Sequence, residues 1–339
     1  MTAGTPASAV LCGAGYWLPD RVVTNAQLCE RLDVSEDWIE SRTGISRRRW
    51  VEPGESTSDL AVEAGRAALK SAGGGLVEAV VLATTTPDHR CPATAPDVAA
   101  RLGLSGVAAF DVSAVCTGFV YGLATAAGFI AAGLAERVLL IAAEAFSTLL
   151  DPDDRTTQPI FGDGAGAVVL RRGRPDEPGA IGPLVLGSDG DRSELITVRA
   201  GGARLPFGAP AAEDGSQYFR MRGREVFRQS VDRMSAAATD ALKAAGWQLS
   251  DVDRVVTHQA NARVSAALAT QLGLRRDSVV QNIAEVGNTA AASIPVLLAQ
   301  AALDGTLQPG HRVLLAAFGG GLTWGATTLT WPELEVHDT

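Results

Sequence analysis

Three polar side chains of this 339-residue chain sit where apolar, strand-like runs give way to helical ones: Cys116 in "FDVSAVCTGF", His258 in "VVTHQAN" and Asn288 in "GNTAAAS". A cysteine at a helix N-terminus faces the positive end of the helix dipole and unpaired backbone N–H groups, which favour thiolate over thiol and make a nucleophile. Taken alone, it is as well explained as a small packing residue. Of the four histidines, His258 is the one set inside an apolar strand ending, where the plain alternative is a satisfied core histidine. Asn288 follows Gly287 at a turn into a helix, and capping is its simplest role. The three become informative together.

Glycine runs add a possible oxyanion site. "FGGGL" at 318–322 lets backbone N–H groups approach a ligand closely. "FGDGAG" at 161–166 is followed by "AVVL", a strand pattern, and has neither the GxGxxG nor the GxxxxGK[ST] spacing, so nucleotide binding is rejected there.

The elements that must position these residues alternate between strand-like runs ("EAVVLATTT", "RVLLIAAEA", "DRVVTHQA", "RVLLAAFGG") and long Ala/Leu-rich segments, which argues α/β layering. Val80 and Val138 are 58 positions apart, and so are Val255 and Val313 in the two matching runs. Each second run is followed by a Gly-rich element. Three matches in order predict an internal duplication. The join falls near "RRGRPDEPGA" at 171–180, giving an N-terminal half over 1–176 and a C-terminal half over 177–339. In this reading Cys116 and Asn288 start the matching helix of each half, and the two helix starts meet at a pseudo-twofold axis.

Composition sets the bounds. The chain is 46% hydrophobic and 20% charged, an ordinary globular balance. A formal charge of −9 argues against nucleic acid as the main partner. The N-terminus lacks a secretion signal and no apolar run reaches the roughly 18 residues of a membrane helix, so a soluble, cytoplasmic protein is expected. Cys12, Cys29, Cys91 and Cys116 show no CxxC spacing, which supports neither a disulfide framework nor a metal site.

"DVSAVCTGF", "FGDGAGAVVL", "HQANARV", "GNTAAASIP" and "FGGGLTWG", in that order, resemble the 3-oxoacyl-acyl-carrier-protein synthase III family, initiating condensing enzymes of the thiolase superfamily. The resemblance spans nearly the whole chain and implies a thiolase-like, five-layered αβαβα fold with internal pseudo-duplication, assembled as a homodimer. It implies that Cys116 is the acylated nucleophile, that His258 and Asn288 bind the malonyl thioester carbonyl, and that the backbone N–H groups of Cys116 and Gly320 form the oxyanion hole. An acyl group from acyl-CoA would load on Cys116, and malonyl carried on acyl carrier protein would then decarboxylate and condense with it. No cofactor is implied.

"EDWIESRTGISRRRW" resembles the family's CoA-binding segment, with Trp38 on the adenine, Arg42 near the phosphates, Arg155 of "DPDDR" on the opposite side of the adenine and Asn261 on the pantetheine arm. Arg224, Arg228 and Arg263 match basic positions that dock the acidic carrier protein. Two departures stand out. Thr257 replaces the family's common proline or asparagine. Cys91, in "HRCPAT", aligns with a bulky phenylalanine that closes the acyl tunnel across the dimer in acetyl-selective relatives, which implies a primer larger than acetyl.

Competing readings are an acyltransferase of the same fold that acts on a hydroxyl or amine without condensation, and a non-catalytic synthase subunit. A cysteine hydrolase is disfavoured, because the papain-type signature is missing around Cys116.

Overall fold

The structure, a computed structural model, describes residues 7–209 and 215–338. After β1 (Ser8–Trp17), a ribbon of β2 (Val22–Thr24) and β3 (Arg47–Arg49) brackets α1 (Asn25–Cys29) and α2 (Glu36–Thr43). There follow α3 (Thr57–Ser71), β4 (Ala79–Ala83), α4 (Ala95–Arg101), β5 (Ala108–Val112), α5 (Gly118–Ala131), β6 (Arg137–Glu144) and β7 (Gly164–Gly173). Next come β8 (Val185–Ser188), a second ribbon of β9 (Ile196–Val198) and β10 (Phe219–Met221), then α6 (Gly223–Ala245), β11 (Arg254–Thr257) and α7 (Ala262–Leu272). The chain closes with β12 (Val279–Val280), α8 (Ile283–Val286), α9 (Ser293–Leu303), β13 (Arg312–Gly319) and β14 (Thr323–Thr330).

Two five-stranded sheets result, ordered β1-β7-β6-β4-β5 and β8-β14-β13-β11-β12. In each, the strands carrying the repeat are parallel and buried on both faces, which is why they read as continuous apolar runs. Successive side chains of β4 point opposite ways: Val81 and Ala83 join the central core with α5 and α9, while Val80 and Leu82 join the outer core with α3 and α4. The second sheet shares the central core through Val256, Leu315 and Ala317, and is covered outside by α6 and α7. The layers are therefore helix, sheet, helix, sheet, helix, the thiolase-like α/β arrangement.

Local signals set the outer helices. Ser56 and Asp59 form a capping box at the start of α3, and α6 and α7 stop at Gly246 and Gly273, both in the left-handed conformation.

The duplication extends to single residues. Ala79 pairs with Val138 as Arg254 pairs with Val313, and Val115 and Ala290 share an unusual positive φ, of 48° and 46°. These counterparts, and the first residues of α5 and α9 (Gly118 and Ser293), are all 175 positions apart. The counterpart of Cys116 is therefore Ala291 rather than Asn288, which lies three residues earlier in its own half. The pairing read from sequence is corrected on this point: Asn288 precedes the turn that leads into α9, whereas Cys116 lies within the corresponding turn before α5.

Candidate active site

Cys116 sits in a 3-10 turn, Val115–Thr117, between β5 and α5. The positive φ of Val115 makes a sharp elbow that a β-branched residue adopts only when its surroundings impose it. The turn packs against the end of β13. A side chain added at Gly319 would bring its Cβ to 2.8 Å from the backbone N of Cys116 and 3.0 Å from its Cβ. Glycine there keeps that N–H approachable, and Gly320, buried, follows it beside Val115.

The equivalent position at the end of β6 is Glu144, fully buried, and it is a residue the sequence reading missed. Its carboxyl accepts from the backbone N of Thr85 (3.0 Å), from Thr86 Oγ1 (2.9 Å) and from the backbone of Ala291, the counterpart of Cys116. The Ala291 N–H of one elbow thus meets a carboxyl, while at the equivalent Cys116 N–H of the other the facing residue is glycine. The duplication that relates the two positions is the signal that would have found it. Burial raises the Glu144 carboxyl to about 7 against the pull of those donors.

Burial, and then the nearby Glu144, also push the Cys116 thiol well above the ordinary thiol range. Here the structure departs from the helix-dipole expectation. Desolvation of the buried side chain opposes the stabilisation that the partial charge of the helix end would give a thiolate.

His258 follows β11, its N–H continuing the ladder to Ala316 O at 2.9 Å. It is buried, and desolvation lowers it to about 3, so its ring is neutral at ordinary pH. Its Nδ1 lies 2.7 Å from Ser293 Oγ. Asn288 is pinned through its backbone to the loop before β7, its N–H donating to Ile160 O at 2.9 Å and its carbonyl accepting from Gly162 N at 3.0 Å. Its Oδ1 accepts from Ala290 N, and its Nδ2 reaches Ala260 O at 3.4 Å.

Beneath that loop lies Arg48, fully buried, which donates to Val23 O, Asn25 Oδ1 and Pro159 O. Close approach explains two glycines here. A Cβ at Gly162 would stand 2.3 Å from Val286 O, and one at Gly287 would stand 3.0 Å from both Arg48 Cβ and Ile160 O. "FGDGAG" is thus framework: Asp163 accepts from Val51 N and Ser147 N, and β7 begins at Gly164.

Around Cys116 an apolar cluster gathers Phe146, Leu150, Phe161, Phe219 and Ala290, with Ile196, Val198 and Met221 of the β9–β10 ribbon against it. The rings of Phe146 and Phe161 stack at 4.3 Å, and Phe219 meets both edge-on. Sequence reading did not assign this wall. Cys91, the residue it did assign to the acyl pocket, is exposed within one chain and lies outside the cluster.

Trp38 and Arg42 lie on successive turns of α2, the guanidinium 4.5 Å from the ring centroid. Asn261 caps α7, accepting from Arg263 N, while its Nδ2 donates to Arg42 O at 3.0 Å; the side chain assigned to pantetheine therefore joins α2 to α7. Arg155 is exposed, near the carbonyl of Asp33. Arg224 and Arg228 are exposed on the first turns of α6, and Arg263 on the first turn of α7, which packs on α6. Among the described residues no group of three or more His, Cys, Asp or Glu is arranged to hold a metal ion.

With this geometry established, comparison with known proteins is decisive. The family description 3-oxoacyl-(acyl-carrier-protein) synthase III matches residues 110–190, and its C-terminal counterpart matches residues 242–331. Beta-ketoacyl-(acyl-carrier-protein) synthase III 3 of Streptomyces coelicolor is 59% identical over 331 residues, covering 97% of this chain and 98% of the relative. The chain belongs to the ketoacyl synthase III family. The crystal structure of 3-oxoacyl-(acyl carrier protein) synthase III from Pseudomonas aeruginosa PAO1 superposes with a TM-score of 0.90 at 50% identity, over 97% of this chain and 99% of that one. The priming β-ketosynthase of a polyketide biosynthetic pathway superposes at 0.89 with 33% identity, over 98% of this chain and 99% of that one. The two family-model matches include Cys116, Arg155, His258, Asn261, Arg263, Asn288 and Gly320, whereas Trp38, Arg42, Cys91, Arg224 and Arg228 lie outside them.

Proposed function

We propose that this ketoacyl synthase III loads an acyl group from acyl-CoA onto Cys116 and condenses it with malonyl carried on acyl carrier protein. Decarboxylative Claisen condensation is the activity of the family to which the chain belongs. The observation that carries the assignment of roles is the pairing of an open N–H at Cys116, kept clear by Gly319, with the buried neutral donors His258 and Asn288.

In the first half-reaction Cys116 Sγ attacks the thioester carbonyl, the N–H groups of Cys116 and Gly320 hold the oxyanion, and the thiol proton leaves with CoA. In the second, the C–C bond to the malonyl carboxylate breaks and carbon dioxide departs. The electron pair moves onto the thioester oxygen, where His258 and Asn288 donate hydrogen bonds. A neutral imidazole suits this role, because it donates without drawing a charge into a buried site. The enolate carbon then attacks the acyl-Cys116 carbonyl, and the released thiolate takes up a proton.

Trp38, Arg42 and Arg155 form the proposed face for the CoA nucleotide, and Asn261, which also braces α2 against α7, is the proposed contact to the pantetheine arm. Arg224, Arg228 and Arg263 are the proposed docking residues for the acidic carrier protein; none makes an ion pair among the described residues. The assembly proposed is a homodimer, supported by β5, an edge strand that among the described residues pairs with β4 alone. A primer larger than acetyl is expected from the small side chain of Cys91. Intact mass after incubation with acyl-CoA thioesters from acetyl to branched and six-carbon chains tests the reading. One preferred primer should add its acyl mass to wild type and not to Cys116→Ala, whereas no adduct from any primer contradicts it.

A further inference from the structure

In the half that supplies Cys116, the position equivalent to His258 is Ala83 and the position equivalent to Ser293 is Gly118. The two are in contact there: a Cβ added at Gly118 would stand 3.1 Å from the Cβ of Ala83. In the other half the same neighbouring positions carry His258 and Ser293, whose side chains meet at 2.7 Å. One pair is apolar and the other is a hydrogen-bonded couple at the same place in the duplicated fold.

The hydroxyl of Ser293 is buried and makes two hydrogen bonds among the described residues, with His258 Nδ1 and with the backbone N of Gln259 at 3.3 Å. The N–H of Gln259 can only donate, so Ser293 Oγ accepts it; among the described residues the hydroxyl proton meets no acceptor other than Nδ1, and since a buried hydroxyl needs one, the proton points at Nδ1. A nitrogen that accepts a hydrogen bond carries no proton, so the proton of the neutral ring lies on Nε2.

We infer that Ser293 is a positioning residue that fixes His258 as its Nε2–H tautomer and so presents a donor to the malonyl thioester oxygen. This rests on the role proposed above for His258. Without the hydroxyl, the ring is free to adopt the Nδ1–H form, whose Nε2 would offer a lone pair to the developing oxyanion and repel it.

The test reads the proton directly. Nitrogen NMR of histidine-labelled enzyme, with His258 identified by its loss in His258→Ala, should show a protonated Nε2 and an unprotonated Nδ1 in wild type. Ser293→Ala should shift the ring toward the Nδ1–H form. It should lower malonyl decarboxylation by about 10- to 100-fold while leaving Cys116 acylation near wild type, and Ser293→Thr, which keeps the hydroxyl, should restore both tautomer and rate. A proton on Nδ1 in wild type would overturn the inference, as would Ser293→Ala with the wild-type tautomer and a rate within about twofold of wild type. The tautomer is read without substrate, so its failure leaves the condensation reading standing; that reading fails separately if His258→Ala still decarboxylates malonyl carrier protein.

Discussion

Gly319 holds open the space over the Cys116 N–H, and it does so by lacking a single atom. Its backbone is not in the left-handed region, so Gly319→Ala tests crowding without adding φ strain. Blocking one oxyanion donor should slow Cys116 acylation by about 10²–10³-fold, read as adduct mass against time. Acylation at the wild-type rate would mean that the hole lies elsewhere. At this scale the sequence was informative where a residue type is rare. Four cysteines and four histidines left few candidates for Cys116 and His258. Ser293 and Glu144 were illegible, because serines and glutamates are common and their roles depend on which carbonyls, N–H groups and rings they meet after folding.

At the scale of elements, the strand pair repeated at 58 residues announced the duplication, but the turn after β5 and the stretch after β12 could not be aligned by eye. Cys116 and Asn288 were matched because both are polar beside a helix; the shared positive φ of Val115 and Ala290 gives the true register. That register explains why β6 ends in a buried carboxyl and β13 in glycine. Folding raises Glu144 from 4.5 to about 7, so in that interval the folded chain holds a proton that the unfolded chain has released. Its contribution to stability is present at low pH and lost as pH rises through about 7. Asp163, raised from 3.8 to about 6, acts in the same sense, and His258, lowered from 6.5 to about 3, acts oppositely across its own window. Glu144→Gln has no proton to lose, so its denaturation midpoint should decline less than that of wild type between pH 5 and 8. Parallel declines would show that Glu144 is ionised throughout.

For the whole molecule, a core shared by both sheets makes the two halves one mechanical body, with α5 and α9 packed between them. The layering was legible because buried parallel strands and Ala-rich helices leave strong patterns. The aromatic wall was not, since Phe146, Phe161 and Phe219 are far apart in sequence and meet only when the β9–β10 ribbon folds over the elbow. Charge operates at this scale as well. On a chain of net charge −9, the exposed Arg224, Arg228 and Arg263 would steer an acidic carrier protein. Arg263→Glu should weaken its apparent affinity at low salt, and an unchanged affinity would remove these residues from docking. Sedimentation at twice the 35.1 kDa chain mass is the expected result for the homodimer, and a monomer would contradict it.

The central claim is that one elbow supplies the nucleophile while the other half of the fold supplies the decarboxylating donors. Its most direct test measures the two half-reactions separately in His258→Ala and Asn288→Ala, acylation by intact mass and malonyl decarboxylation by carbon dioxide release. Loss of one donor worth about 3 kcal/mol should cut decarboxylation by about 10²-fold or more while Cys116 still takes up its acyl group. Equal loss of both half-reactions, with folding intact, would contradict that division of labour.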